Sequence, residues 1–81
     1  MKPRYTARFL RSYASAPTHV RKAFDKQCAL LLQSLQHPSL RAKKYDKRAG
    51  IWQGRVTRNW RFYFTIEADT YTFLDISPHP K

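Results

Sequence analysis

Only one cysteine, Cys28, occurs in the 81 residues. A disulfide framework is excluded, as is a zinc site built on paired thiolates, and three dispersed histidines offer no ligand spacing instead. Glycine is almost as scarce at two residues, and no Gly-rich phosphate loop is present. No apolar run approaches the ~18 residues of a membrane span, and no signal-peptide core follows the basic start. Acidic side chains number five against 16 Lys and Arg. These absences lead us to expect a reducing, cytoplasmic setting, no metal or cofactor, and no membrane partner.

What is present is apolar enough to fold. A 42% hydrophobic share with 15% aromatics can bury sufficient area to offset chain entropy, which argues against disorder. The length suits one domain over residues 1–81. The formal charge of +11 works against that compact state by self-repulsion and favours a polyanionic partner. A membrane surface fits poorly, because no basic amphipathic helix with exposed Leu or Trp is visible.

Apolar periodicity divides the chain into a helical half and a sheet half. Residues Pro3 to Ala7 suit a short strand, and Phe9 to Ser15 a first helix carrying Phe9, Leu10, Tyr13 and Ala14 on one stripe. Val20, Ala23, Phe24, Cys28, Leu31, Leu32 and Leu35 then recur at helical spacing. This predicts a helix of about five turns, capped by Thr18 or starting at Ser15, and ended by His37-Pro38-Ser39. Leu40 to Gly50 reads as a basic connector. Beyond it the period becomes two, giving strands Ile51 to Thr57, Trp60 to Glu67 and Thr70 to Ser77, joined by tight turns at Arg58-Asn59 and Ala68-Asp69. The expected architecture is α+β, with two N-terminal helices packed on one face of a small antiparallel sheet. That sheet combines the short N-terminal strand with a C-terminal three-stranded meander.

Strand alternation assigns the faces. Trp52, Val56, Phe62, Phe64, Ile66, Leu74 and Ile76 should point to the helices. Gln53, Arg55, Thr57, Arg61, Tyr63, Thr65, Glu67, Tyr71, Phe73 and Asp75 should point away. Residues 41 to 61 hold eight basic side chains against one acid, Asp46. Lys43, Lys47, Arg48, Arg58, Tyr63 and Tyr71 are therefore candidates for contacting RNA, cations meeting phosphates and rings meeting bases. Arg61 has a structural alternative, pairing with Asp75 or Glu67.

Three local patterns resemble the RelE/ParE toxin superfamily. They are Ala16-Pro17-x-x-Val20-Arg21-Lys22 opening the long helix, Ile51-Trp52-Gln53-Gly54-Arg55-Val56, and Trp60-Arg61-Phe62-Tyr63-Phe64. The order of elements agrees over nearly the whole chain. The resemblance implies a RelE-like fold and a toxin that a cognate antitoxin wraps and neutralises. RelE-like members cut mRNA in the ribosomal A site, contacting ribosomal RNA, whereas ParE-like members poison DNA gyrase. Ribosome-dependent endoribonuclease activity is the leading expectation. A gyrase poison and a non-catalytic RNA-binding module are the alternatives.

Metal-free RNA cleavage needs a base for the 2′-OH, a stabiliser for the charged transition state and an acid for the leaving 5′-oxygen. By resemblance, Arg55 is the phosphate stabiliser and Arg61 a second arginine that binds phosphate or braces the sheet. His79 lies where several relatives carry a C-terminal catalytic histidine, the side chain suited to proton transfer at cellular pH. Lys43 and Lys44 resemble connector lysines that act as base or phosphate clamp, and Lys44 joins Arg55, Arg61 and His79 as a catalytic candidate. Glu67 is a further candidate base. No tyrosine follows His79, where some relatives place one near the scissile base, so Tyr63 or Tyr71 would have to substitute.

Overall fold

The computed structural model describes residues 1–79. The elements are β1 (Lys2–Tyr5), α1 (Ala7–Ser15), α2 (Thr18–Gln33), a 3₁₀ turn (Pro38–Leu40), β2 (Lys43–Asp46), β3 (Ile51–Thr57), β4 (Trp60–Glu67) and β5 (Thr70–Pro78). They form a five-stranded sheet in the order β1-β5-β4-β3-β2. The meander β3-β4-β5 and the β2–β3 pair are antiparallel, while β1 pairs with β5 in parallel. A parallel pair needs a long crossover, and the chain through both helices supplies it.

Helix boundaries follow local chemistry. Thr6 caps α1: its hydroxyl accepts from Phe9 N at 3.1 Å and donates to Phe73 O at 3.0 Å, tying the cap to β5. Thr18 is not the cap of α2 but its first residue. Pro17 holds the cap position without a side-chain bond, and the Thr18 hydroxyl accepts instead from Arg21 Nη2 at 3.1 Å. The helix spans 16 residues, about four and a half turns, and stops at Gln33, before the proline. There the extended Ser34 offers its hydroxyl to Gln36 N and its carbonyl to His37 N, a local turn that competes with continued helix.

The core is aromatic. Phe9, Phe24, Phe62, Phe64 and Phe73 are essentially inaccessible, with Val20, Leu31, Leu40 and Ile76 around them. Phe24 meets Phe62 and Phe73 edge-on, with ring centroids 5.4 Å apart in each pair. Each such ring contributes roughly 1.5–3 kcal/mol by burial.

Two departures from strict alternation alter the faces. Tyr63 pairs with Asp75 but Phe64 pairs with Phe73, so Leu74 is an extra residue in β5. The slip turns Tyr71 and Phe73 to the helix side, where both are buried, Tyr71 meeting Phe64 edge-on at 5.7 Å. Tyr71 is therefore a core residue and not part of an RNA face, because a one-residue bulge exchanges the two sides of a strand. A second slip between Arg55 and Thr57 sets Thr57 opposite Trp60, which packs against the core. The basic connector holds a strand of its own, β2, exposed along its length. Short, charged strands are how sheets guard their edges, and such strands carry little periodic signal.

Candidate nucleic-acid interface

Strands β3 and β4 place the candidate arginines. Across their ladder Gln53 faces Tyr63 and Arg55 faces Arg61, all on the sheet surface away from the helices. Lys43 of β2 pairs with Gln53 and extends the row. At the other side Pro78 pairs with Trp60, and the His79 N–H donates to Asn59 O at 2.6 Å. That bond ties the backbone at His79 to the β3–β4 turn. Arg41, Lys43, Gln53, Arg55, Arg61 and His79 together line a cleft of about 330 Å³, with the Gly54 backbone between them.

Among the described residues, the cleft is lined by four cations and no carboxylate. Burial, and after it the neighbouring Arg55 guanidinium, hold Arg61 below the ordinary arginine range, with Arg41 adding to the effect. Arginine stays protonated even so. Arg61 does not pair with Asp75 or Glu67. Its Nη1 donates to the carbonyls of Thr57 at 2.7 Å and Trp60 at 2.9 Å, bracing the β3–β4 turn. Asp75 is taken by the Ser12 hydroxyl at 2.6 Å and Arg8 Nε at 3.3 Å. Glu67 lies at the far end of β4, opposite Thr70. An anion entering the cleft would therefore meet positive charge that no carboxylate among the described lining residues offsets.

Not every candidate gathers there. Lys44 pairs in register with Trp52, and its Nζ lies 5.0 Å from the centre of that ring, on the helix side of the sheet. Because Trp52 packs against the core, Lys44 is turned away from Arg55 by the same alternation that brings Lys43 towards it. Lys47 and Arg48 occupy the turn after β2, where Arg48 N donates to Asp46 Oδ1 at 3.0 Å. That turn joins β3 at Ile51, four residues or about 13 Å from Arg55. Arg58 is exposed in the β3–β4 turn at the rim of the cleft. Tyr63 lies on the open face, its hydroxyl 3.3 Å from Gln53 Nε2 and its ring 4.9 Å from that of Tyr45. These two rings, with Ile51, Leu74 and Pro78, line a second, more apolar groove of about 630 Å³.

Sequence reasoning passed over Arg41, Tyr45, Gln53 and Gln27. Arg41 follows the 3₁₀ turn with a left-handed backbone, φ 46°, that only a glycine or asparagine would have advertised. Tyr45 needed the unrecognised strand β2. Gln27 is a buried amide on the core side of α2. It donates to Arg55 O at 2.9 Å and Ser39 O at 3.1 Å and accepts from the Ser39 hydroxyl at 3.2 Å. Among the residues of the stripe it was the one signal available, a polar side chain where apolar ones recur.

No protein-family model matches the sequence, and no curated protein does. Solved structures match the fold closely. The YoeB/ParE toxin from Agrobacterium tumefaciens superposes with a TM-score of 0.80 at 14% identity, over 99% of this chain and 100% of that one. YafQ from E. coli gives 0.78 at 13% identity, over 95% and 91%. The RelB-RelE antitoxin-toxin complex from Methanococcus jannaschii gives 0.73 at 20% identity, over 93% and 88%. Agreement across whole chains at such identity is agreement of architecture: this protein is built on the RelE-like toxin fold.

Proposed function

We propose that this protein is a ribosome-dependent endoribonuclease toxin that cuts mRNA in the A site and is held inactive by a cognate antitoxin. The observation that carries the reading is the cationic cleft where Arg41, Lys43, Arg55, Arg61 and His79 meet on the open sheet face. A phosphodiester seated there has its non-bridging oxygens against Arg55 and Arg61, and these cations stabilise the extra charge of the five-coordinate transition state. The 2′-oxygen attacks phosphorus as its proton leaves, the bond to the 5′-oxygen breaks, and that oxygen takes up a proton. A cyclic 2′,3′-phosphate and a free 5′-hydroxyl result, and no metal is required for the balance. His79 exchanges a proton with a reacting oxygen, since imidazole can do so near neutral pH. Of the two connector lysines expected to act as base or phosphate clamp, Lys43 takes the clamping role, and Tyr63 with Tyr45 offers rings for base stacking. The Methanococcus jannaschii relative of this fold was solved with its RelB antitoxin, which supports a protein partner of that kind here.

The deciding experiment maps mRNA 5′ ends after a brief pulse of expression, with Arg55→Ala and His79→Ala alongside. Discrete cuts inside translated frames are expected, reduced about 10²-fold or more without Arg55, in line with the loss of one transition-state donor. Growth arrest with uncut mRNA would overturn the reading and direct attention to DNA gyrase. RNA binding without any product would leave only a binding module.

A further inference from the structure

Behind Arg55, on the side facing α2, lies another cleft of about 500 Å³. Lys26 of α2 forms one side, Pro38 and Ser39 of the 3₁₀ turn another, and Arg41 and Arg55 line both this cleft and the one on the sheet face. Among the described residues, it too is lined by cations and no carboxylate.

Its walls are tied together. Gln27 reaches from α2 to the carbonyls of both Ser39 and Arg55, so the 3₁₀ turn and β3 are held at a set separation by one buried amide. The Arg41 N–H donates to Pro38 O at 3.3 Å, closing the 3₁₀ turn, and Arg41 itself takes a left-handed conformation, φ 46°. A non-glycine residue is rarely held there without a surrounding structure that demands it. The backbone is thus arranged so that Arg41 serves two clefts at once, alongside Arg55.

We propose that this second cleft is a phosphate site for the same RNA strand, taking the phosphodiester next to the scissile one, with Lys26 and Arg41 as its cations and Arg55 shared between the two positions. The inference deepens the reading above and rests on it for the identity of the strand. Two adjacent phosphates held by a continuous row of cations fix both the position and the direction of the strand, which one phosphate alone does not.

The test uses the full chain and dye-labelled single-stranded RNA of two to six nucleotides, 2′-O-methylated throughout so that it cannot be cut. Binding is followed by anisotropy between 50 and 200 mM salt. For the unaltered protein, lengthening the strand should raise affinity stepwise and steepen the log–log salt slope by about 0.7 for each phosphate engaged. Lys26→Gln should lose roughly tenfold in affinity for the longer strands and flatten the slope by about 0.7, while affinity for the dinucleotide changes little. Arg41→Asn, at a residue lining both clefts, should weaken the dinucleotide as well as the longer strands and flatten the slope. Both side chains are exposed, and asparagine tolerates the left-handed backbone, so neither change threatens the fold. Variants that keep the length step and the slope would overturn the proposal, as would failure of the unaltered protein to bind any of the strands at 50 mM salt. Variants weakened on vacant ribosomes but not on these strands would overturn it in favour of a ribosomal RNA phosphate. Uncut cellular mRNA with the length step intact and lost in the variants would support this site and sink only the nuclease reading.

Discussion

Gly54 lies between Gln53 and Arg55, opposite Phe62 on the helix side of the sheet. A Cβ there would collide with the Phe62 ring, which is fully buried. Gly54→Ala should therefore lower stability by about 1–3 kcal/mol through overpacking, with the urea midpoint as the readout. An unchanged midpoint would mean that the ring relocates at little cost. The same residue shows what was legible at this scale. Arg55 and Arg61 were identifiable as members of one face, because alternation in β3 and across the β3–β4 ladder decides which side chains share a surface. Tyr71 was misassigned because its side depends on a bulge at Leu74, and no sequence feature at Leu74 announces one.

Elements settled the rest of the site. Strand β2 is four residues of Lys, Tyr and Asp with no apolar alternation, so only its hydrogen bonds to β3 reveal it. Once it is paired, Lys43 and Lys44 part company. One faces the arginine cleft, and the other covers Trp52. A solvent-exposed cation over a Trp face contributes roughly 0.5–1 kcal/mol. Lys44→Ala should accordingly cost no more than that in thermal or urea unfolding and leave RNA cleavage near the level of the unaltered protein. Cleavage falling tenfold or more, with stability intact, would place Lys44 in the chemistry after all. Helix α2 acts at the same scale. Its apolar stripe was plain in the sequence, but that Gln27 in the stripe holds Arg55 and the Ser39 turn in place required both partners to be seen.

The whole molecule carries a formal +11 on 81 residues. Among the described residues two ion pairs are made, Lys2 with Asp69 at 3.9 Å and Arg8 with Asp75 at 3.3 Å. Neither touches the cationic cleft. Salt should then act in opposite directions on folding and on binding. Raising sodium chloride from 50 to 500 mM screens self-repulsion and should raise Tm by a few degrees, corresponding to about 1 kcal/mol. The same change should weaken RNA binding by orders of magnitude, because each phosphate engaged releases bound counterions. Differential scanning calorimetry and anisotropy on one sample series would check both signs. A Tm that falls with salt would show that attractive pairs outweigh the repulsion.

Sequence alone determined the α+β class, both helices, the three meander strands with their turns, and the excess of cations, because periodicity and charge are properties of consecutive residues. It also singled out Arg55, Arg61 and His79. Tertiary structure decided which of the basic residues meet. The bulge at Leu74 moved Tyr71 into the core, the edge strand β2 turned Lys44 aside, and the β3–β4 turn anchored the chain at His79. The left-handed Arg41 was brought to a cleft that no local pattern describes. Each of those outcomes depends on a register or hydrogen bond between residues far apart in the chain, and a register between strands is a property of the pair.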